Sequence, residues 1–217
     1  MLLEYVEKGH EVLITDRGRP VARLVAPLPL SVKAFPGRGA FRRGMPRLEP
    51  PLSETLGAPV SRAAGGPKWP AQIPGPLYLD ATILARLYLP EPGSTVLDRV
   101  LRGRRDLTVS ELAVTELMAG FAARRPGEQV KRRAAQLQGA VLEDLASGCF
   151  RRVELSPSTH RAAERLALPL ADASAAGPAR ALHLALAMTA GVAGILTFDP
   201  ALARGAQALG LLALPAG

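Results

Sequence analysis

LYLDATILARLYL, residues 77–89, decides the fold: a short apolar strand, Leu77 to Asp80, turns at its last residue into a helix, Ala81 to Leu89. Outward toward the C-terminus the same alternation repeats. After the turn Pro90-Glu91-Pro92-Gly93 come a helix over Ser94 to Leu101, a strand over Asp106 to Val109, and a helix from Ser110 to about Arg125. A long helix over Glu128 to Ser147, a strand over Arg152 to Leu155 and a helix over Ser158 to Leu166 follow. Pro178, suited to a first helical turn, opens an apolar helix to Met188; Val192 to Phe198 reads as a buried strand; Ala201 to Leu209 is a helix stopped by Gly210. Strands alternating with helices in this way predict an α/β fold with a central parallel sheet covered on both faces.

Outward toward the N-terminus the pattern changes twice. Residues 27–76 carry eleven prolines and many glycines without sustained periodicity, which predicts an extended connector. Trp69, the only tryptophan, sits in Lys68-Trp69-Pro70 and reads as an anchor on a domain surface. Before the connector, residues 4–26 read as a helix end (EYVEKG), a strand from Glu11 to Thr15, a turn at Arg17-Gly18-Arg19-Pro20 and a second strand from Val21 to Ala26. A lone hairpin is marginal in water and needs a surface to pack on.

Composition narrows the function classes. The 217 residues are 48% hydrophobic, and no run reaches the roughly 18 apolar residues of a membrane span. The start MLLEYVEKGHEV lacks a secretory pattern, so the chain reads as soluble and cytoplasmic. A single cysteine, Cys149, excludes a disulfide framework and a zinc site. The net charge is +8, with arginines clustered at Arg102, Arg104 and Arg105, at Arg132 and Arg133, and at Arg151 and Arg152, a distribution that suits a polyanion. No strand is followed by GxGxxG or a P-loop.

Ligands of open α/β sheets sit beyond the carboxyl ends of the strands. Asp80 closes LYLD and Asp199 closes GILTFD, and both should project into one crevice if their strands are neighbours. Glu116 lies about one and a half turns into the helix after DLTV and can face the same crevice. Taken singly, a strand-end aspartate is as often a cap for the next helix. Three clustered carboxylates repel one another unless a divalent cation is held between them, and with a basic rim they point to phosphodiester hydrolysis. A phosphatase-like site with Asp80 as nucleophile is disfavoured, because Thr82 stands where a second acid is usual.

The segments YLDATILARLYLPEPGS, LTVSELAVTELMAGFAAR, ALHLALAM and GILTFDPALARGAQALGL resemble, in order and spacing, the motifs of VapC-type PIN-domain toxins over residues 77–217. The resemblance implies a three-layer PIN-like fold and a magnesium- or manganese-dependent endoribonuclease. Its acidic metal ligands would match Asp80, Glu116 and Asp199, with the hydroxyl of Thr82 beside the first. EYVEKGHEVLITDRGRPVARLVAPL likewise resembles the second half of a Phd/YefM antitoxin's N-terminal domain, so residues 1–26 are read as a truncated antitoxin segment and 27–76 as a linker or antitoxin-like tail. The missing first strand and most of the first helix argue against DNA binding by this segment. The partners expected are RNA as substrate, an antitoxin or the chain's own tail in cis, and a second copy in a homodimer. A tail of this kind, by resemblance, lies along the catalytic groove and offers it an arginine; Arg38, Arg42, Arg43 and Arg47 are candidates, with Phe35, Phe41 and Trp69 as apolar anchors.

One position departs from the family. PIN toxins usually carry an aspartate before Ala-Leu-His, and here Arg180 precedes Ala181, Leu182 and His183. A guanidinium among three carboxylates would exchange a metal ligand for a competing cation, which opens an alternative reading: a catalytically weakened pseudoenzyme that binds RNA or a partner. His183 reads as a helix residue facing packing or a neighbouring strand.

Overall fold

The computed structural model describes residues 12–17, 19–24, 33–57, 69–70, 72–123, 128–175 and 177–215. They fall in two compact units divided after Ser31. In the first unit β1 (Val12–Asp16) and β2 (Arg19–Leu24) form an antiparallel hairpin whose register shifts between Ile14 and Thr15. The hairpin follows the alternation of the sequence; the helix expected before it lies outside the described residues.

The second unit begins with α1 (Gly39–Arg43) and α2 (Leu52–Thr55). It then runs β3 (Leu77–Leu79), α3 (Ala81–Tyr88), α4 (Ser94–Leu101), β4 (Leu107–Ser110), α5 (Glu111–Ala122) and α6 (Glu128–Ala146). The rest is β5 (Arg151–Val153), α7 (Pro157–Arg165), α8 (Ala167–Asp172), α9 (Pro178–Thr189), β6 (Gly194–Leu196), α10 (Pro200–Ala208) and β7 (Leu212–Leu214). All five strands from β3 onward pair in parallel, in the order β5-β4-β3-β6-β7. This is the α/β architecture the alternation predicts, with β7 and α8 added; each is too short to leave a periodic signal.

Strand β3 lies at the centre and its alternation separates two cores. Leu77 and Leu79 face one apolar cluster with Ile83, Leu117 and Leu137, while Tyr78 faces the other with Leu170, Leu184 and Leu202. Because β3 is flanked by β4 and β6, the carboxyl ends of these three strands form one edge, which carries Asp80, Ser110 and Asp199.

Residues 33–57 depart from the extended connector that their prolines predict. They run as a strap on the second unit and bury Phe35, Met45 and Leu52 in the first of those cores. Backbone bonds from Lys33 to Gly148 and from Phe35 to Arg104 hold the strap's start, and contacts that involve side chains hold the rest. Arg38 binds Asp144 and, through its backbone N–H, Asp98 at 2.5 Å. The Arg42 guanidinium, buried, donates to the carbonyl of Leu87 at 2.8 Å and to Asp98 at 3.1 Å. The Glu91 carboxylate accepts the Ser53 N–H at 3.1 Å, at the start of α2. Burial of three large side chains contributes on the order of 2 kcal/mol each, enough to fix a segment whose backbone propensity alone would leave it extended.

Candidate active site

Asp80 ends the central strand and caps α3, its Oδ1 accepting the N–H of Ile83 at 3.0 Å. The same oxygen accepts the Thr82 hydroxyl at 2.7 Å, and Oδ2 accepts the Thr197 hydroxyl at 2.5 Å. Burial pushes its pKa above the ordinary value, against the opposing pull of His183, Thr197, Thr82 and the Ile83 N–H. Thr82 also accepts the Phe198 N–H at 2.9 Å, tying β6's exit loop to the first residue of the site. Asp199 caps α10 through Oδ1, which accepts from Ala201 at 2.9 Å and Leu202 at 3.3 Å. Both aspartates are therefore helix caps and site residues together, since a cap at a strand's carboxyl end faces the crevice.

Asp80, Thr82, Glu116 and Asp199 line a single cavity of about 250 Å³. A larger cavity of about 420 Å³ lies between α7, α8 and α9 and shares only Gly177 and Pro178 with it. The larger one is walled mainly by Ala163, Leu170, Ala181 and Leu182 and holds one acid, Glu164, so the smaller is the candidate site.

Two more residues enter that cavity. Arg180 Nε lies 2.7 Å from Asp199 Oδ2, and His183 Nε2 lies 2.8 Å from Glu116 Oε2. The His183 Nδ1 is 2.7 Å from the buried Tyr78 hydroxyl, itself 2.6 Å from Ser110 Oγ. His183 thus faces a strand, as its place on α9 suggests, but it also touches a site carboxylate; the partner on another helix is invisible to helical spacing.

The strap closes the cavity from the other side. Leu56 lines it, and the backbone of Gly57, at φ +111, passes so near Asp199 that an added Cβ would lie 3.2 Å from Oδ2. Neither residue carries a sequence signal for a site. The arginine at the acids is Arg180, from the domain's own helix. Arg38 and Arg42 instead bind Asp144 and Asp98 near the far end of α3, and Arg47 pairs with Glu49 at the surface. Trp69 packs edge-on to Phe198, with ring centroids 6.4 Å apart, as its expected anchoring role suggests.

A family profile for the PIN domain matches residues 77–207. The chain belongs to the PIN-domain family. PIN domains are in general metal-dependent nucleases, which supports a nuclease here. Two solved structures share the fold. That of FitAB bound to an IR36 DNA fragment is 15% identical, covers 64% of this chain and 93% of its own, and has a TM-score of 0.52. That of FitAcB from Neisseria gonorrhoeae is 16% identical, covers 63% of this chain and 95% of its own, and has a TM-score of 0.51. No curated protein matches the chain.

Carboxylates are the oxygen donors a magnesium or manganese ion takes. In this PIN domain, however, they do not fit one as arranged. Asp80 is engaged through both oxygens, Glu116 is held by His183, and Arg180 puts a cation on Asp199. Among the described residues no three acidic, histidine or cysteine side chains gather as a metal site. Among them, too, no helix is long and apolar enough to cross a membrane.

Proposed function

We propose that the chain is an RNA-directed PIN nuclease of the toxin–antitoxin kind, held closed in cis by its own strap. The observation that carries the reading is the position of Leu56 and Gly57 over Asp199 in a cavity lined by three acids. A phosphodiester reaching Asp199 would have to displace that turn. Because strap and domain are one chain, the contact is intramolecular, and an effective concentration on the order of millimolar keeps even a weak turn docked. The net charge of +8 supports RNA as substrate. Several arginines of the basic clusters are already engaged within the fold: Arg102 with Asp98, Arg104 with Asp106, Arg152 with Glu111.

With Arg180 on Asp199, no step of this reading passes through a metal ion. The groups the chain itself supplies are an Asp80 carboxylate fixed by two threonine hydroxyls, a Glu116 held by His183, and a guanidinium at the cavity wall paired with Asp199. The Arg180–Asp199 contact also favours a second reading, a PIN domain that binds RNA or a partner without cutting. Antitoxin-like character of residues 1–26 and a homodimeric state stand with the first reading as its further parts.

The experiment is cleavage of labelled RNA by the full chain in magnesium, in manganese and in chelator, beside a binding measurement. Cleavage in any of the three conditions supports the nuclease, and its persistence in chelator agrees with a site whose acids are engaged by Arg180, His183 and the two threonines. Binding without cleavage selects the second reading, and absence of both overturns RNA as the substrate.

A further inference from the structure

Tyr78 presents a problem the fold must solve. It sits in the central strand with no solvent exposure, so its hydroxyl would cost several kcal/mol if left without partners. Two partners meet it, Ser110 Oγ at 2.6 Å and His183 Nδ1 at 2.7 Å. Ser110 is fixed in turn, because its Oγ caps α5 by accepting the Ala113 N–H at 3.1 Å. The chain of contacts therefore runs from a helix cap on β4, through the central strand, to a ring on α9, and ends at Glu116 on α5.

Hydrogen-bond roles follow from the atoms. A bare lone pair on His183 Nε2 would face a carboxylate oxygen at 2.8 Å, so Nε2 carries a proton and donates it to Glu116. Nδ1 can then accept from Tyr78 or donate to it, and a phenol hydroxyl serves either case. Burial raises the Tyr78 pKa, so the hydroxyl keeps its proton. His183, itself buried, is fixed at both nitrogens and cannot turn away from Glu116 without costing the Tyr78 hydroxyl one of its two partners.

We infer that Ser110, Tyr78 and His183 form a positioning relay that sets the orientation of Glu116 in the cavity, with His183 as the donor to its carboxylate and Tyr78 as the group that holds the ring. The catalytic consequence rests on the nuclease reading; the geometry does not. Misplacing a group of a site by about 1 Å can cost on the order of a hundredfold in rate, so a loosened Glu116 should cost about tenfold. Substituting Tyr78→Phe keeps the ring's volume and removes only the hold.

The test uses the full chain and two readouts. Nitrogen-15 NMR of the histidine rings, assigned with His183→Gln, should show a slowly exchanging Nε2–H on His183 in the wild type and its loss to solvent exchange in Tyr78→Phe. Thr108→Val, which removes another buried hydroxyl with no partner among the described residues, is the control and should leave the signal unchanged. On RNA, Tyr78→Phe should lower kcat about tenfold with KM unchanged. A protected Nε2–H that survives Tyr78→Phe, or loss in Thr108→Val as well, overturns the relay. If the wild type cuts no RNA, the nuclease reading fails alone and the NMR result still decides the relay.

Discussion

Arg180 Nε stands 2.7 Å from Asp199 Oδ2, a cation bonded to an acid that in this family is expected to hold one. At about 5 Å and an effective dielectric near 20, each unit charge is worth on the order of 3 kcal/mol, and the one-third exposure of the Arg180 side chain reduces that by screening. Arg180→Asp removes the competing cation and restores a ligand. Magnesium or manganese affinity, measured by calorimetry, should rise at least tenfold and RNA cleavage should rise with it. An affinity that does not change would mean that the ion pair is not what keeps the site from a metal.

Gly57 supplies a test of the strap's last turn. Its φ of +111 is a conformation that alanine adopts only under strain, on the order of 1 to 3 kcal/mol, and the new Cβ would also crowd Asp199. Gly57→Ala should loosen the turn. The Leu56 and Gly57 amides, which donate to Leu52 and Glu54, should exchange with solvent faster, and RNA should bind more tightly. Unaltered exchange and affinity would show that the turn does not guard the cavity.

Two acids that grip the strap respond to pH in opposite senses. Asp98 is pushed up by burial, but hydrogen bonds from the Arg38 N–H, Arg102 and Arg42 outweigh that and leave its pKa below the ordinary value. Glu91 is raised by burial, which exceeds the pull of Ser53, Arg86 and Leu52. A lowered acid stabilises the fold above its unfolded pKa, about 3.9 for Asp, and loses that contribution as pH falls through the folded value. A raised acid does so below about 4.3 for Glu, and loses it as pH rises through the folded value. Denaturant unfolding across pH should therefore find Asp98→Asn most costly near neutrality and progressively less so below about pH 4. Glu91→Gln should gain on the wild type as pH climbs above about 4.3. Parallel pH trends for the two variants would contradict this assignment.

The sheet was readable because its strands are apolar runs between helices, and the edge that holds Asp80 and Asp199 followed from their place at strand ends. Glu116 was readable from helix phase. His183's contact with Glu116 was not, since α9 and α5 meet only in three dimensions and neither helix's spacing encodes the other. The strap was legible only as a tail with Phe35, Phe41 and Trp69 as apolar anchors, and its course and other contacts were not, for a different reason. Its prolines forbid long regular elements, which is a statement about backbone, whereas Phe35, Arg42, Met45 and Leu52 dock through side chains that need no periodicity. Arg38 and Arg42 were candidates for the acidic site through the antitoxin resemblance; Asp144 and Asp98, also buried carboxylates, took them instead.

The same contacts predict what removal of the strap does. Phe35, Met45 and Leu52 would leave the core, at a loss on the order of 2 kcal/mol each. Asp144 would lose Arg38, Asp98 would lose Arg42, and Glu91 would lose the Ser53 N–H, each a buried carboxylate stripped of a partner. Domains of this size are stable by about 5 to 15 kcal/mol, so these losses approach the whole. A chain starting at residue 77 should melt without a cooperative transition and bind a hydrophobic dye, and a separate peptide of residues 33–57 should restore cooperativity by mass action. Higher RNA cleavage after such a deletion would then require that the truncated chain still fold. A cooperative melt within a few degrees of the full chain would show that the strap is a removable cover; loss of that melt, rescued by the peptide, would make it part of the core.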